Sequence, residues 1–259
     1  MPRTVTATRY VTPLREGGSL PGIVEADDDG LYVLKFRGAG QGVKALIAEL
    51  IAGEIGRALA LPVPEIVLVE LDPVLGNAEP DPEIKDLIGW SGGLNLGMDF
   101  LPGALPFTPA AGPLPEPGLA ADVVWFDALV TNVDRTPRNP NILIWHHELK
   151  LIDHGAALYA HHNWSDPAAQ ARRPFPAVRA HILLPYASSI VEADARLVSL
   201  LSDAVLTRIV AGVPEDWLAG DAVFPDPTAH RQAYLDYLLG RLSAPRGFVE
   251  EAERARTGA

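Results

Sequence analysis

Over the first forty residues apolar and polar positions tend to alternate, the period of a strand with one buried face. Thr4 to Val11 alternates in part, and Pro21 to Glu25 reads as a short strand. Between them Arg15-Glu16-Gly17-Gly18-Ser19 is a turn or flexible loop. Asp27-Asp28-Asp29-Gly30 is a strong turn signal before the strand Leu31-Tyr32-Val33-Leu34-Lys35-Phe36. An antiparallel sheet is expected here. The acidic turn lacks the further ligands and the terminal Glu of a calcium loop. From Val43 to Leu59 the period changes. Ala45, Ala48, Ala52, Ile55 and Leu59 recur every three or four residues, which predicts a helix with Glu49 on the flank of its stripe. Pro62 and Pro64 end it and introduce a strand from Ile66 to Leu71, then a polar, proline-bearing connection from Asp72 to Glu83. Gly92 to Gly103 reads as a strand running into a loop.

Residues 102–118 hold six prolines and little periodicity, the pattern of a linker. They divide a first lobe, residues 1–101, from a second, residues 119–259. In the second, Leu119 to Val130 is apolar at helical spacing, and Asn132 to Asn141 is a polar loop. Two short strands are expected at Ile142 to Trp145 and Leu149 to Ile152, with Asp153 at the hairpin exit. Helices are expected at Ser188 to Leu201, Asp203 to Val210, His230 to Leu242 and, more weakly patterned, Phe248 to Arg256. The layout is α+β: a strand-rich N-lobe with one main helix, and a mostly helical C-lobe.

Composition narrows the choices. With 259 residues, 48% of them apolar, the chain can bury a real core. Its formal charge of −12 argues against a broad nucleic-acid-binding surface. The absence of cysteine excludes disulfides, thiolate catalysis and cysteine metal sites. No apolar run is long enough to cross a bilayer or to serve as a signal segment, so the expected location is cytoplasmic. Only Lys35, Lys44, Lys85 and Lys150 are lysines, which makes each worth inspecting.

Three separated signals fit phosphoryl transfer. In Tyr32-Val33-Leu34-Lys35-Phe36, alternation sets Val33 and Lys35 on one face. A cation there can hold nucleotide phosphates, and Glu49 on the next helix is available to fix its stem. The alternative is a lysine snorkelling from a sheet edge. Asp134, followed by Asn139 and Asn141, offers a carboxylate for an acceptor hydroxyl and hard oxygens for magnesium; an ordinary turn has the same composition. Asp153 after Leu149-Lys150-Leu151-Ile152 can reach back to a metal at that loop, or simply cap a turn.

Together these residues resemble the HipA-like kinase family, within the wider protein-kinase-like fold. The resemblance spans roughly Leu14 to Leu158. It implies that Lys35 is the phosphate lysine, Glu49 its helix partner, Asp134 the catalytic-loop aspartate and Asp153 a metal-binding aspartate. Asn132 stands where eukaryotic protein kinases usually carry histidine, and His154 where an apolar residue is usual. Family spacing selects Asn139 as a second metal ligand, whereas Asn141-Ile142-Leu143 matches the family's sequence ending; Asn141 is favoured. Gly17, Gly18 and Ser19 are a weakly patterned phosphate-covering loop, without GxGxxG. Met98 and Phe100 fall where backbone groups would meet an adenine edge. The implied cofactors are ATP and Mg, with a protein Ser/Thr or small-molecule hydroxyl as acceptor. A kinase-shaped scaffold with little transfer activity, or an acidic interaction domain without a nucleotide site, are the competing readings.

The remaining features have ordinary explanations. His146-His147, His154 and His161-His162 form no zinc motif, and only His154 neighbours the expected metal site. Asp127 either supports the catalytic loop by accepting backbone hydrogen bonds or faces solvent.

Overall fold

The computed structural model describes residues 2–14, 20–110 and 113–258. The chain is 45% helical and 18% strand, with strands concentrated in the N-terminal part and helices in the C-terminal part. Strands β1 (Thr4–Pro13), β2 (Gly22–Ala26) and β3 (Leu31–Lys35) run antiparallel in sequence. Helix α1 (Gly42–Ala58) follows, then β4 (Ile66–Leu71), α2 (Pro82–Trp90) and β5 (Gly93–Asp99). The sheet closes into a barrel in the order β1-β2-β3-β5-β4, because β4 returns parallel to β1.

Strand β4 shows why the barrel and the helices cohere. Alternation sends Val67, Val69 and Leu71 into one core cluster, with Val24 and Leu34 and with Ile84, Leu87 and Ile88 of α2. Ile66 and Leu68 face the other way and join α1 in the larger core. Helix α1 is therefore buried well beyond a single stripe: Leu46, Ile47, Leu50, Ile51 and Ile55 are all covered. It approaches the barrel closely at Gly53, where a Cβ would lie 2.2 Å from Ile66 Cδ1. That contact offsets the roughly 1 kcal/mol a helical glycine costs relative to alanine.

The proline-rich stretch contributes a two-residue strand, β6 (Leu105–Pro106), which pairs with β7 (Ile142–Trp145); β7 pairs in turn with β8 (Glu148–Leu151). Helix α3 (Pro117–Leu129) is buried along most of its length, Ala120 to Leu129 save Asp122. Helices α5 (Ile190–Leu197), α8 (Pro227–Leu242) and α9 (Gly247–Thr257) pack on α3, and α4 (Pro167–Ala171), α6 (Asp203–Ala211) and α7 (Glu215–Leu218) pack on α8. Among the described residues no helix is long and apolar enough to cross a membrane.

Two local outcomes differ from the pattern. The connection after Asp72 contains α2, whose start is fixed by Asp81 accepting from the Glu83 N–H and by Pro82 in the first turn. The helix expected over Ser188 to Leu201 ends at Leu197 and tightens into a 3₁₀ turn over Val198–Leu200.

Candidate active site

The barrel, α1 and the hairpin exit converge on one lysine. The Lys35 ammonium lies 2.6 Å from Glu49 Oε2 and 2.6 Å from Asp153 Oδ1. Residue parity in β3 turns Lys35 away from the face holding Tyr32, Leu34 and Phe36, and so towards α1. Glu49 is fully buried, and its second oxygen, Oε1, lies 3.3 Å from Nδ1 of the equally buried His154. Asp153 is reached through a backbone in the left-handed region, φ 55°, two residues past the end of β8. That conformation turns the chain sharply out of the hairpin, and Asp tolerates it better than most residues.

Opposite this cluster stands the loop from Asn132 to Asn141. Asn139 Nδ2 donates to Asp134 Oδ2 at 2.7 Å, and Asn141 Nδ2 donates to the same oxygen at 3.3 Å. Asn141 Nδ2 also lies 3.4 Å from the Asp153 carbonyl. Asn141, buried where Asn139 is exposed, thus touches both aspartates. Its φ of 49° is again left-handed.

Beneath the loop lies a buried carboxylate, Asp127 of α3. Its Oδ1 accepts from Asn132 Nδ2 at 2.9 Å, while Oδ2 accepts from Arg135 Nε at 2.5 Å and His181 Nε2 at 2.9 Å. Its carboxylate supports the loop through side-chain donors, while its carbonyl accepts the Asn132 N–H at 2.9 Å, the backbone donor expected. Leu183 N–H donates to His181 Nδ1 at 3.1 Å, which leaves the ring hydrogen on Nε2, facing Asp127. Arg135 reaches on to the Asn141 carbonyl and, at 3.4 Å, to the Ile152 carbonyl. One buried guanidinium so joins the start of the loop to its end and to the residue before Asp153. Asn132 Oδ1 accepts the Asp134 N–H at 3.1 Å and completes the turn.

The electrostatics follow from burial and pairing. Burial alone would lower the Lys35 pKa and raise those of Glu49 and Asp127. Glu49 and Asp153 outweigh that for Lys35 and hold its ammonium above the usual value. Lys35 and His154 hold Glu49 well below the carboxylate range, and Arg135 with His181 does the same for Asp127. Removing either partner of such a pair strands a buried charge, which costs about 3–5 kcal/mol.

Of the sequence-derived candidates, Lys35, Glu49 and Asp153 meet directly, and Asp134, Asn139 and Asn141 form a second group joined to Asp153 through Asn141. Phe100 does not offer a free N–H: it donates to the Leu31 carbonyl at 2.9 Å, because the β3–β5 ladder runs one residue past Asp99. Met98 lies inside β5, opposite Val33 on one side and Ile66 on the other. Gly17, Gly18 and Ser19 lie outside the described residues. Arg135 and His181 were not legible as site residues; the only sequence signal for Arg135 is its place next to Asp134.

A magnesium ion suits this donor set. Asp153 is half-exposed, and Asn141 uses only Nδ2 in its contacts with the two aspartates, so a carboxylate and an amide oxygen are the hard donors here. Among the described residues no group of three or more His, Cys, Asp or Glu could hold a metal ion. Magnesium carried on phosphates needs only one or two protein oxygens, so the set is sufficient. A cavity of about 270 Å³ at the start of α1, lined by Lys44, Trp217, Asp221 and His230 among others, includes none of these candidates.

Comparison with solved structures finds a kinase. The chain is similar to the Helicobacter pylori proinflammatory kinase CtkA, with a TM-score of 0.58 over 100% of this chain and 98% of that one. The identity is 12%, so this likeness speaks to the fold alone. No curated protein matches the chain in sequence. The family model described as HipA-like kinase matches residues 8–248, nearly the whole chain, and the protein belongs to the HipA-like kinase family.

Proposed function

We propose that this protein is an ATP- and magnesium-dependent phosphotransferase that moves the γ-phosphoryl group to a hydroxyl of a protein Ser/Thr or of a small molecule. One observation carries the reading: a buried Lys35–Glu49 pair, Asp153 and the Asp134 loop face one another through a continuous set of hydrogen bonds. In this reading residues 1–101 form the nucleotide lobe, 102–118 the connection and 119–259 the catalytic lobe, in the cytoplasm.

Lys35, its stem fixed by Glu49, holds the α- and β-phosphates. Asp153 and Asn141 would hold magnesium, which when bound would neutralise charge on the transferring phosphates. Asp134 Oδ accepts the proton of the acceptor hydroxyl as its oxygen bonds to the γ-phosphorus and the bond to ADP breaks. Asn139 and Asn141 keep that carboxylate aimed. Most of the acceleration comes from positioning and charge stabilisation.

The test is calorimetric titration of ATP, with and without magnesium, on the wild type and on Asp153→Ala. Magnesium-dependent binding weakened by the substitution is expected. Clean, folded, ligand-free protein that takes up no ATP would overturn the reading in favour of a scaffold of kinase shape.

A further inference from the structure

His154 has no assigned task, yet it is fully buried beside the equally buried Glu49 carboxylate. Glu49 has two oxygens and two side-chain donors: Lys35 on Oε2 at 2.6 Å and His154 Nδ1 on Oε1 at 3.3 Å. Glu49 is held ionised, so it can only accept, and the hydrogen must sit on Nδ1. The other ring nitrogen, Nε2, is buried and has no partner among the described residues. The ring is held edge-on against Phe126, centroids 5.7 Å apart.

Lys35 is shared between two carboxylates at equal distance. What keeps it shared is the orientation of Glu49. Without a donor on Oε1, the Glu49 carboxylate would hold a buried, unsatisfied oxygen and would rotate to relieve it. Lys35 would then move towards Asp153, the residue proposed to face magnesium. A phenyl ring at position 154 would occupy the same place, somewhat more bulkily, but supply no donor.

We infer that His154 is a positioning residue: by donating from Nδ1 to Glu49 Oε1, it sets how Lys35 is divided between Glu49 and Asp153, and so how tightly the site takes a nucleotide triphosphate. The inference rests on the proposed nucleotide site.

The experiment compares the wild type, His154→Phe and His154→Asn, whose amide N–H stands near Nδ1 of the original ring. Magnesium-ATP titrations and steady-state rates are measured on each. His154→Phe is expected to weaken ATP binding about tenfold, the scale of a lost hydrogen bond to a charged group, and to lower kcat/KM by a similar factor. His154→Asn is expected to recover most of both. A merely structural role would lower the number of binding-competent molecules while leaving their Kd unchanged. Equal Kd and kcat/KM in wild type and His154→Phe would overturn the inference.

A second readout needs no nucleotide. A long-range ¹H–¹⁵N spectrum of the ligand-free protein is expected to show His154 protonated on Nδ1, with that signal shifting in Glu49→Gln. A ring protonated on Nε2 alone would overturn the inference. Failure of the wild type to bind ATP would instead overturn the proposed function, and the spectrum would still decide the His154–Glu49 contact.

Discussion

Asp134 Oδ2 is the meeting point of Asn139 and Asn141, and its neutral isostere keeps nearly the same shape. Asp134→Asn removes the proton-accepting charge without touching Lys35, Glu49 or Asp153. It is expected to lower kcat by about 10²–10⁴-fold, the usual range for a lost general base. Nucleotide affinity measured by calorimetry should stay near that of the wild type; an equal loss of affinity and rate would contradict the role. The residues that sequence could nominate share a property: each sits beside a local signal. Lys35 stands in an alternating strand, Glu49 on a helical flank, Asp134 in a polar loop, Asp153 at a hairpin exit. Asp127 could not be resolved the same way. Its third donor, His181, is 54 residues distant along the chain, and nothing local marks the pair. Family spacing and sequence ending disagreed over Asn139 and Asn141, and only folding reveals that Asn141 touches both Asp134 and Asp153.

Helix α1 carries Glu49, and its first turn is tethered to the helical part. Lys44 Nζ donates to the His161 carbonyl at 2.9 Å and lies 3.0 Å from Asp221 Oδ2. Trp217 Nε1 adds a link from α7 to the Leu94 carbonyl at 3.0 Å, beside the same helix end. Lys44→Met keeps the apolar stem and removes the charge. It leaves Asp221, little exposed, without its cation. A loss of about 1–3 kcal/mol is expected, seen as a fall of about 2–4 °C in Tm for each kcal/mol. Magnesium-ATP affinity should fall too, since Glu49 lies little more than one turn further along α1. A variant that melts and binds like the wild type would show the tether to be idle. Elements such as α1, α3, α8 and β4 were legible because each is a long apolar or periodic run with a clear boundary, although α1, α3 and β4 are buried beyond the one face the pattern marks. Barrel closure was not: the parallel β1–β4 pairing joins residues more than sixty apart, and a side-chain pattern carries no record of it. β6 is too short to show a period at all.

At the scale of the whole molecule, stability against acid follows from two kinds of group, histidines whose pKa burial lowers and buried carboxylates held low by their partners. Burial depresses the pKa of His161 to about 3; the positive charges of His162, Lys44 and His230 add to this, and Asp221 opposes it. His230 and His162 are also lowered, burial first. In the unfolded chain each of these histidines titrates near about 6.5. Below that pH the unfolded state takes up protons that the folded state refuses, so stability falls as pH drops from about 6.5 towards 3. Glu49 and Asp127, held low by their partners, add stability that is present above their unfolded pKa of about 4 and is lost below it. The net charge of −12 acts in the other direction, because protonation relieves repulsion, but that repulsion is spread over a surface screened at physiological salt. The buried histidines should therefore dominate between pH 6.5 and 5. The melting temperature in about 0.15 M salt is expected to decline across that interval, before the carboxylates titrate. His161→Asn, whose amide can still meet the Tyr234 hydroxyl now 3.1 Å from Nδ1, should lower Tm at every pH by leaving a gap, and flatten the decline. The slope, not the offset, is the test: a variant whose Tm falls with pH as steeply as that of the wild type would assign the acid sensitivity to groups other than His161.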